Sequence, residues 1–326
     1  MAEWNVYYDS FFYADMQTPQ DKRAGAEIPI NKGFLWSTEE WKILSMYIFD
    51  EGPVFHICKR IKDETIREFY EKWGHVMQMA KEGRHEEVSQ EQRTRMRFDS
   101  PYTETPSIDI EIDGKAVDSG ISMSNAWIPR CYDNPEPCKN MPHILNHYTL
   151  SESDGWLITH VQGRWYADFS DIKNIDKIEI TLKADPIDIP GPHFTIKENG
   201  EEISFIRPLT GQEHTLKVLS SEPGLIEGER MPDNQWEPPN HYMQMTYTLT
   251  PDLTEDIFSI RDCSSGMSGA GLMFEYGDEQ DDPVHTAFSS LYFDPIETVQ
   301  WFLNFHEKPQ EDFSLTLKAG RDFNIT

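Results

Sequence analysis

The sequence predicts a mainly β protein: an α+β part over residues 1–100, then two antiparallel β-sandwich-like units at 101–190 and 191–326, with one long amphipathic helix at 63–82. Three observations predict this class. Beyond Pro101 the apolar residues switch to a period of two, as in "SIDIEIDGKAV", where Ile108, Ile110 and Ile112 take one face and Asp109, Glu111 and Asp113 the other. The strand-like runs are short and separated by Pro and Gly clusters, the punctuation of sandwiches and barrels. Helical stretches do not alternate with these runs, so a parallel βαβ sheet is not expected.

Each element follows from its own residues. "WKILSMYIF" and "PVFHICKRI" read as strands, the second alternating Val54, His56 and Cys58 with Phe55, Ile57 and Lys59. The helix at 63–82 repeats Ile66, Phe69, Tyr70, Trp73, Met77 and Ala80 at spacings of three and four, with Val76 alongside. Asp63 is placed to cap its start and Gly83 its end, and the interior Gly74 marks a candidate close contact. A second helix is expected from about Glu86 to Arg95. After Pro101 come "SIDIEI", turning at Asp113-Gly114, then "DKIEITLKA", "HFTIKENGEEISFI" turning at Asn199-Gly200, "HTLKVL", "HYMQMTYTL", "HTAFSSLYF", "TVQWFLNF" and "DFSLTL". The runs "DPIDIPGPH" (185–193) and "GERMPDNQWEPPNH" (228–241) read as separators. The two β units read as a diverged repeat on one shared pattern. From Asp171, Ile178, Ile180 and Leu182 stand at the same offsets as Trp301, Leu303 and Phe305 from Asp294.

Composition bounds the function. A chain of 326 residues that is 38% hydrophobic and 12% aromatic carries enough core-forming material for a globular protein. Its apolar runs, such as "WFLNF", fall far short of the roughly twenty residues of a membrane-spanning helix. The start "MAEWNVYYDSFFYADM" lacks the basic and apolar regions of a secretory signal, and four cysteines are too sparse for a disulfide scaffold, so a cytoplasmic location is expected. Residues 1–100 hold 18 acids and 14 bases, leaving 57 − 18 = 39 acids and 29 − 14 = 15 bases for the rest, a net charge of −24 there out of −28 in all. Such a chain repels phosphate backbones and lacks the clustered cations that nucleic-acid binding requires. Protein or carbohydrate partners are expected; nucleic acid and membrane are not.

The densest set of metal-ligating residues is "CYDNPEPCKNMPHILNH" (131–147). Cys131, Cys138, His143 and His147 supply the four N and S ligands of a tetrahedral zinc site, and His143 and His147 are spaced to share one face of a helical turn. Against this, six residues separate the thiols where zinc knuckles use two to four, and Asp133 and Glu136 oppose thiolate formation. A Pro-rich surface loop is the competing reading. No cofactor is expected, zinc at this set being the one candidate. "DIEIDG" opens like a calcium loop but has Gly120 where the twelfth-position Glu is needed. "RDCSSGMSGAGL" (261–272) misses the final Gly of a hydrolase elbow, and a thiol dyad of Cys263 with His241 or His285 needs a proximity that sequence does not give. Phosphate-cradling loops are absent. No catalytic residue is assigned.

Trp127, Trp156, Trp165 and Trp236 fall in or beside Pro-, Gly- or Asp-rich connections, where rings serve either as platforms for sugars or partner proteins or as plugs at sandwich ends. As ligand-binding candidates they point to a non-catalytic binding or interaction protein using aromatic and acidic loops. Two alternatives stay open: a carbohydrate-directed hydrolase with paired carboxylates, and an acidic inhibitor or immunity-type protein for a basic partner.

Overall fold

The computed structural model describes residues 5–8, 23–84, 87–102, 106–129, 141–165, 175–226, 239–254, 256–263 and 284–324. The chain divides into two compact units, Met1–Lys72 with Pro101–Asp185 and Gln310–Thr326, and Trp73–Ser100 with Pro186–Pro309. Each is a sandwich of two antiparallel sheets.

In the first unit β1 (Ala26–Trp36), β2 (Glu39–Ile48), β3 (Pro53–Ile61), β7 (Gly155–Arg164) and β6 (Asp118–Trp127) form a five-stranded sheet in that spatial order. The opposing sheet runs β16 (Phe313–Lys318), β8 (Lys177–Lys183), β4 (Ser107–Ile112), β5 (Lys115–Ala116). The sequence boundary at 100/101 therefore does not set off an N-terminal layer. Strands β1 to β3 are paired into a sheet completed by β7 and β6, and the last strand returns from residue 313 to pair with β8. Ile108, Ile110 and Ile112 of β4 meet Ile178, Ile180 and Leu182 of β8, and both sets pack on Ile43, Phe55 and Ile57 of the larger sheet. The alternation read from "PVFHICKRI" is real, but both faces of β3 are buried. Phe55 and Ile57 enter the sandwich core, while Cys58 packs with α3 (Met141–His147) on the far side.

The second unit sets β10 (Glu202–Ile206), β11 (Glu213–Leu225), β12 (His241–Thr250) and β14 (His285–Phe288) against β13 (Phe258–Asp262), β15 (Gln300–Glu307) and β9 (Ile187–Thr195). Leu216, Met245, Tyr247 and Leu249 from one sheet close on Ile260, Trp301, Leu303 and Phe305 from the other. Two expectations change here. The Pro-rich run taken as a separator is strand β9 itself, tolerated because β9 is an edge strand and its register slips opposite Phe302 and Asn304. Asn199-Gly200 does not close a hairpin between paired strands: β9 and β10 belong to different sheets, and Gly200 donates to Val218 O while Asn199 caps Ser221 N. The repeat offsets coincide with buried residues in β8 and β15, each an inner strand of its sheet.

Of the predicted stripe, helix α1 (Asp63–Lys81) buries Ile66, Phe69 and Trp73 together with Val76, leaves Tyr70, Met77 and Ala80 half-buried, and ends where Arg84 N and Gly83 N bond back to Met79 O and Ala80 O. Gly74 faces open space, so it marks no close contact. Helix α2 (Gln90–Asp99) starts four residues later than expected because Ser89 and Gln92 form a reciprocal capping box.

Candidate functional site

Two places in the described residues hold functional groups in organised form. The first is the outer face of the four-stranded sheet in the second unit. Along β12 the inward residues Met243, Met245, Tyr247 and Leu249 are buried, so Tyr242, Gln244, Thr246 and Thr248 share the other face, all half-exposed. Register brings Ser220 of β11 and Thr286 of β14 beside Thr246, and Phe288 beside Gln244. The Ser220 and Thr246 hydroxyls are 2.7 Å apart, so the rows are aligned. Tyr242 pairs across the strand with Gly224, and a Cβ at Gly224 would overlap the far end of the Tyr242 ring. The ring is thus laid along the sheet over a residue with no side chain to lift it. Phe288 meets it edge-on, centroids 5.8 Å apart. The outward residues of β12 itself carry no formal charge, but on β11 the register sets the exposed Glu222 opposite Gln244 and the exposed Lys217 opposite Thr248, so charges flank the row on that side.

The second place lies in the first unit, on the face of the five-stranded sheet away from the sandwich core. His56 of β3 and His160 of β7 are directly opposed in the register, each 1% exposed, with His56 Nε2 3.1 Å from His160 Nδ1. His56 Nδ1 is 2.7 Å from the hydroxyl of Tyr148, the residue following α3, and that hydroxyl is 2.7 Å from the Tyr47 hydroxyl. Nearer the surface Ser45 donates to Glu27 at 2.5 Å, and His147 Nε2 reaches the same carboxylate at 2.9 Å. Burial, then the neighbouring His160 and His147, hold His56 well below its ordinary range; burial alone takes His160 down to about 4. Burial, together with Tyr47, pushes the Tyr148 phenol far up. At neutral pH His160, His56 and Tyr148 are thus a run of uncharged groups, each of which can both donate and accept.

The sequence candidates are placed as follows. Trp127 is 1% and Trp156 8% exposed, and their indole N–H groups donate to Glu152 O and Ser151 O. Trp165 is partly buried against the sandwich core and donates to Phe49 O. These three rings are buried or partly buried, whereas Tyr242 of the sheet is half-exposed. Trp236, Cys131 and Cys138 lie outside the described residues. His143 is exposed on α3, and His147 is engaged by Glu27. Among the described residues no group of three or more His, Cys, Asp and Glu is arranged to hold a metal ion. Cys58 is pushed up to about 12 by burial, and Cys263 likewise by burial and the adjacent Glu91, so both stand as thiols rather than nucleophilic thiolates. His285 faces Asp252 at 2.7 Å.

Sequence reasoning missed both organised places. A signal for the first was available: the polar half of "HYMQMTYTL" is Tyr, Gln and Thr, whereas that of "SIDIEI" and "DKIEITLKA" is dominated by acids and lysines. The His pair had a weaker one, a single imidazole centred in each of two otherwise apolar runs, "PVFHIC" and "WLITHV".

Fold and site together define a two-unit antiparallel β-sandwich protein with an aromatic, amide and hydroxyl row along β12 of its second unit, flanked by Glu222 and Lys217 of β11. Comparison with known proteins assigns it no family: no protein-family model, no curated protein and no solved structure matches the chain. Among the described residues no helix is long and apolar enough to cross a membrane.

Proposed function

We propose that this is a non-catalytic binding protein that holds an uncharged glycan chain on the outer face of the β10–β11–β12–β14 sheet. The observation that supports it is the Tyr242 ring laid over Gly224 at the end of a row of half-exposed Gln244, Thr246 and Thr248. A ring lying along a sheet offers its free face to the C–H face of a sugar, and the amide and hydroxyls beside it match sugar hydroxyls in donor and acceptor count. The β12 row is itself uncharged, with one acid and one base, Glu222 and Lys217, beside it on β11, which favours a ligand that brings no net charge of its own.

The test is a glycan array on the full chain followed by calorimetric titration with the best neutral oligosaccharide. Tyr242→Ala is expected to weaken binding at least about tenfold, the loss of about 1.4 kcal/mol of stacking. Gly224→Ala keeps the ring but lifts it, and is expected to weaken binding similarly while leaving the fold intact. Failure of every neutral glycan to bind, or unchanged affinity in both folded variants, removes the proposal. Release of reducing ends during the titration would replace it with the hydrolase reading.

A further inference from the structure

We propose that the buried His56–His160 pair is a two-proton acid switch that holds α3 against the five-stranded sheet at neutral pH and releases it on acidification. The inference rests on the geometry of the pair and is independent of the glycan face. Met141, Ile144, Leu145 and Tyr148 pack in one apolar cluster with Leu44, Cys58, Trp127, Trp156 and Ile158, and the polar anchor of this layer is the Tyr148 hydroxyl between His56 and Tyr47. One proton fits within the existing bonds: a cationic His56 donates from Nδ1 to Tyr148 and from Nε2 to His160 Nδ1. The second does not. With both rings protonated, two N–H groups confront each other across 3.1 Å and two like charges share a site 1% exposed.

The groups packed around the pair do not offset that charge. From β1 comes Glu27, already engaged by Ser45 and His147. Strand β2 contributes Lys42 beside Cys58, and Tyr47. Further along β3, Arg60 is bound to Asp154 and Glu40. His147 and Tyr148 approach from α3, and Tyr8, bonded to Gly163 O, from the N-terminal segment. Of these, His147 acts on His56 in the same sense as His160, disfavouring its charged form. Since both rings bind protons more weakly folded than released, the latch is at full strength above the ordinary value of 6.5 and weakens as pH falls towards about 4.

The test is an acid titration of the full chain from pH 7.5 to 4, read by Trp fluorescence and by hydrogen exchange corrected for intrinsic rates. Amides of 141–150 are expected to exchange at least tenfold faster at pH 4.5 than at pH 7, with a proton dependence steeper than one, while β4, β8 and β16 keep their protection. His160→Gln, which cannot take the second proton, is expected to lower the midpoint by at least one pH unit and reduce the slope to one. An unchanged midpoint in that variant, or loss of protection in α3 and β8 together, overturns the switch. Should His160→Gln fail to fold, the imidazole resonances of the wild-type chain decide instead. Two rings titrating independently near 6.5 overturn the proposal; a joint transition below pH 5.5 upholds it.

Discussion

Replacing Asp262 by Ala is expected to destabilise the second unit by about 4 kcal/mol, seen as a lower urea midpoint at unchanged slope. Asp262 closes β13, is 2% exposed and accepts three hydrogen bonds: Ser290 N at 3.0 Å, Ser290 Oγ at 2.9 Å and Tyr292 OH at 2.8 Å. The bonds continue outward. Gln90 at the start of α2 donates to Ser290 Oγ, and Ser289 Oγ bonds both Ser290 O and Met243 N of β12. Ala would leave two buried donors of Ser290 and the half-buried Tyr292 hydroxyl facing a void, and the cost of an unmade buried bond exceeds the net worth of a made one. Asp262→Asn separates this from mere packing. Its one oxygen can take the Oδ2 position and accept from Ser290 N and Tyr292, while its amide nitrogen donates to Ser290 Oγ, so a loss of only about 1 kcal/mol is expected. Equal losses in the two variants would show that volume, and not the hydrogen-bond hub, sets the effect.

That hub was invisible in the sequence, and the reason is general to the fold. A period of two states which residues share a face; it does not state which strand lies alongside. The Ile108, Ile110, Ile112 face and the α1 stripe were legible because each needs only its own segment; the first is buried as read, the second through Ile66, Phe69, Trp73 and Val76. The joining of β1–β3 to β7, the return of β16 to β8, and the meeting of Asp262 with Ser290 are long-range pairings fixed by collective packing. The same holds for His56 and His160, unremarkable singly and a coupled pair only through register. The Trp residues went the other way. Their loop-like neighbours left platform and plug both open, and Trp127 and Trp156 are buried, their N–H groups finding Glu152 O and Ser151 O.

Gly52→Ala is expected to cost the first unit about 3 kcal/mol, although the change adds only one methyl group to a turn. Gly52 lies in the β2–β3 connection, and a Cβ there would overlap the carbonyl oxygen of Gly163 and stand 2.7 Å from its carbonyl carbon and 2.9 Å from Arg164 Cα. These are backbone atoms and cannot rotate away as a side chain would. They are also held in place: Tyr8 donates to Gly163 O, and Trp165 ties its amide to Glu51 O and its indole to Phe49 O, on the same turn. Relief would require β7 to move, and β7 carries His160 between β3 and β6. Gly74→Ala is the control, because a Cβ there meets nothing within 4 Å and the residue lies inside α1. That substitution is expected to stabilise the protein by about 0.5 to 1 kcal/mol through helix propensity alone. Two Gly→Ala changes of opposite sign, measured by the same thermal or urea transition, distinguish backbone contact from a general intolerance of substitution. A neutral Gly52→Ala would mean that the turn and the end of β7 are not in contact, and the anchoring of the His160 strand would then need another explanation.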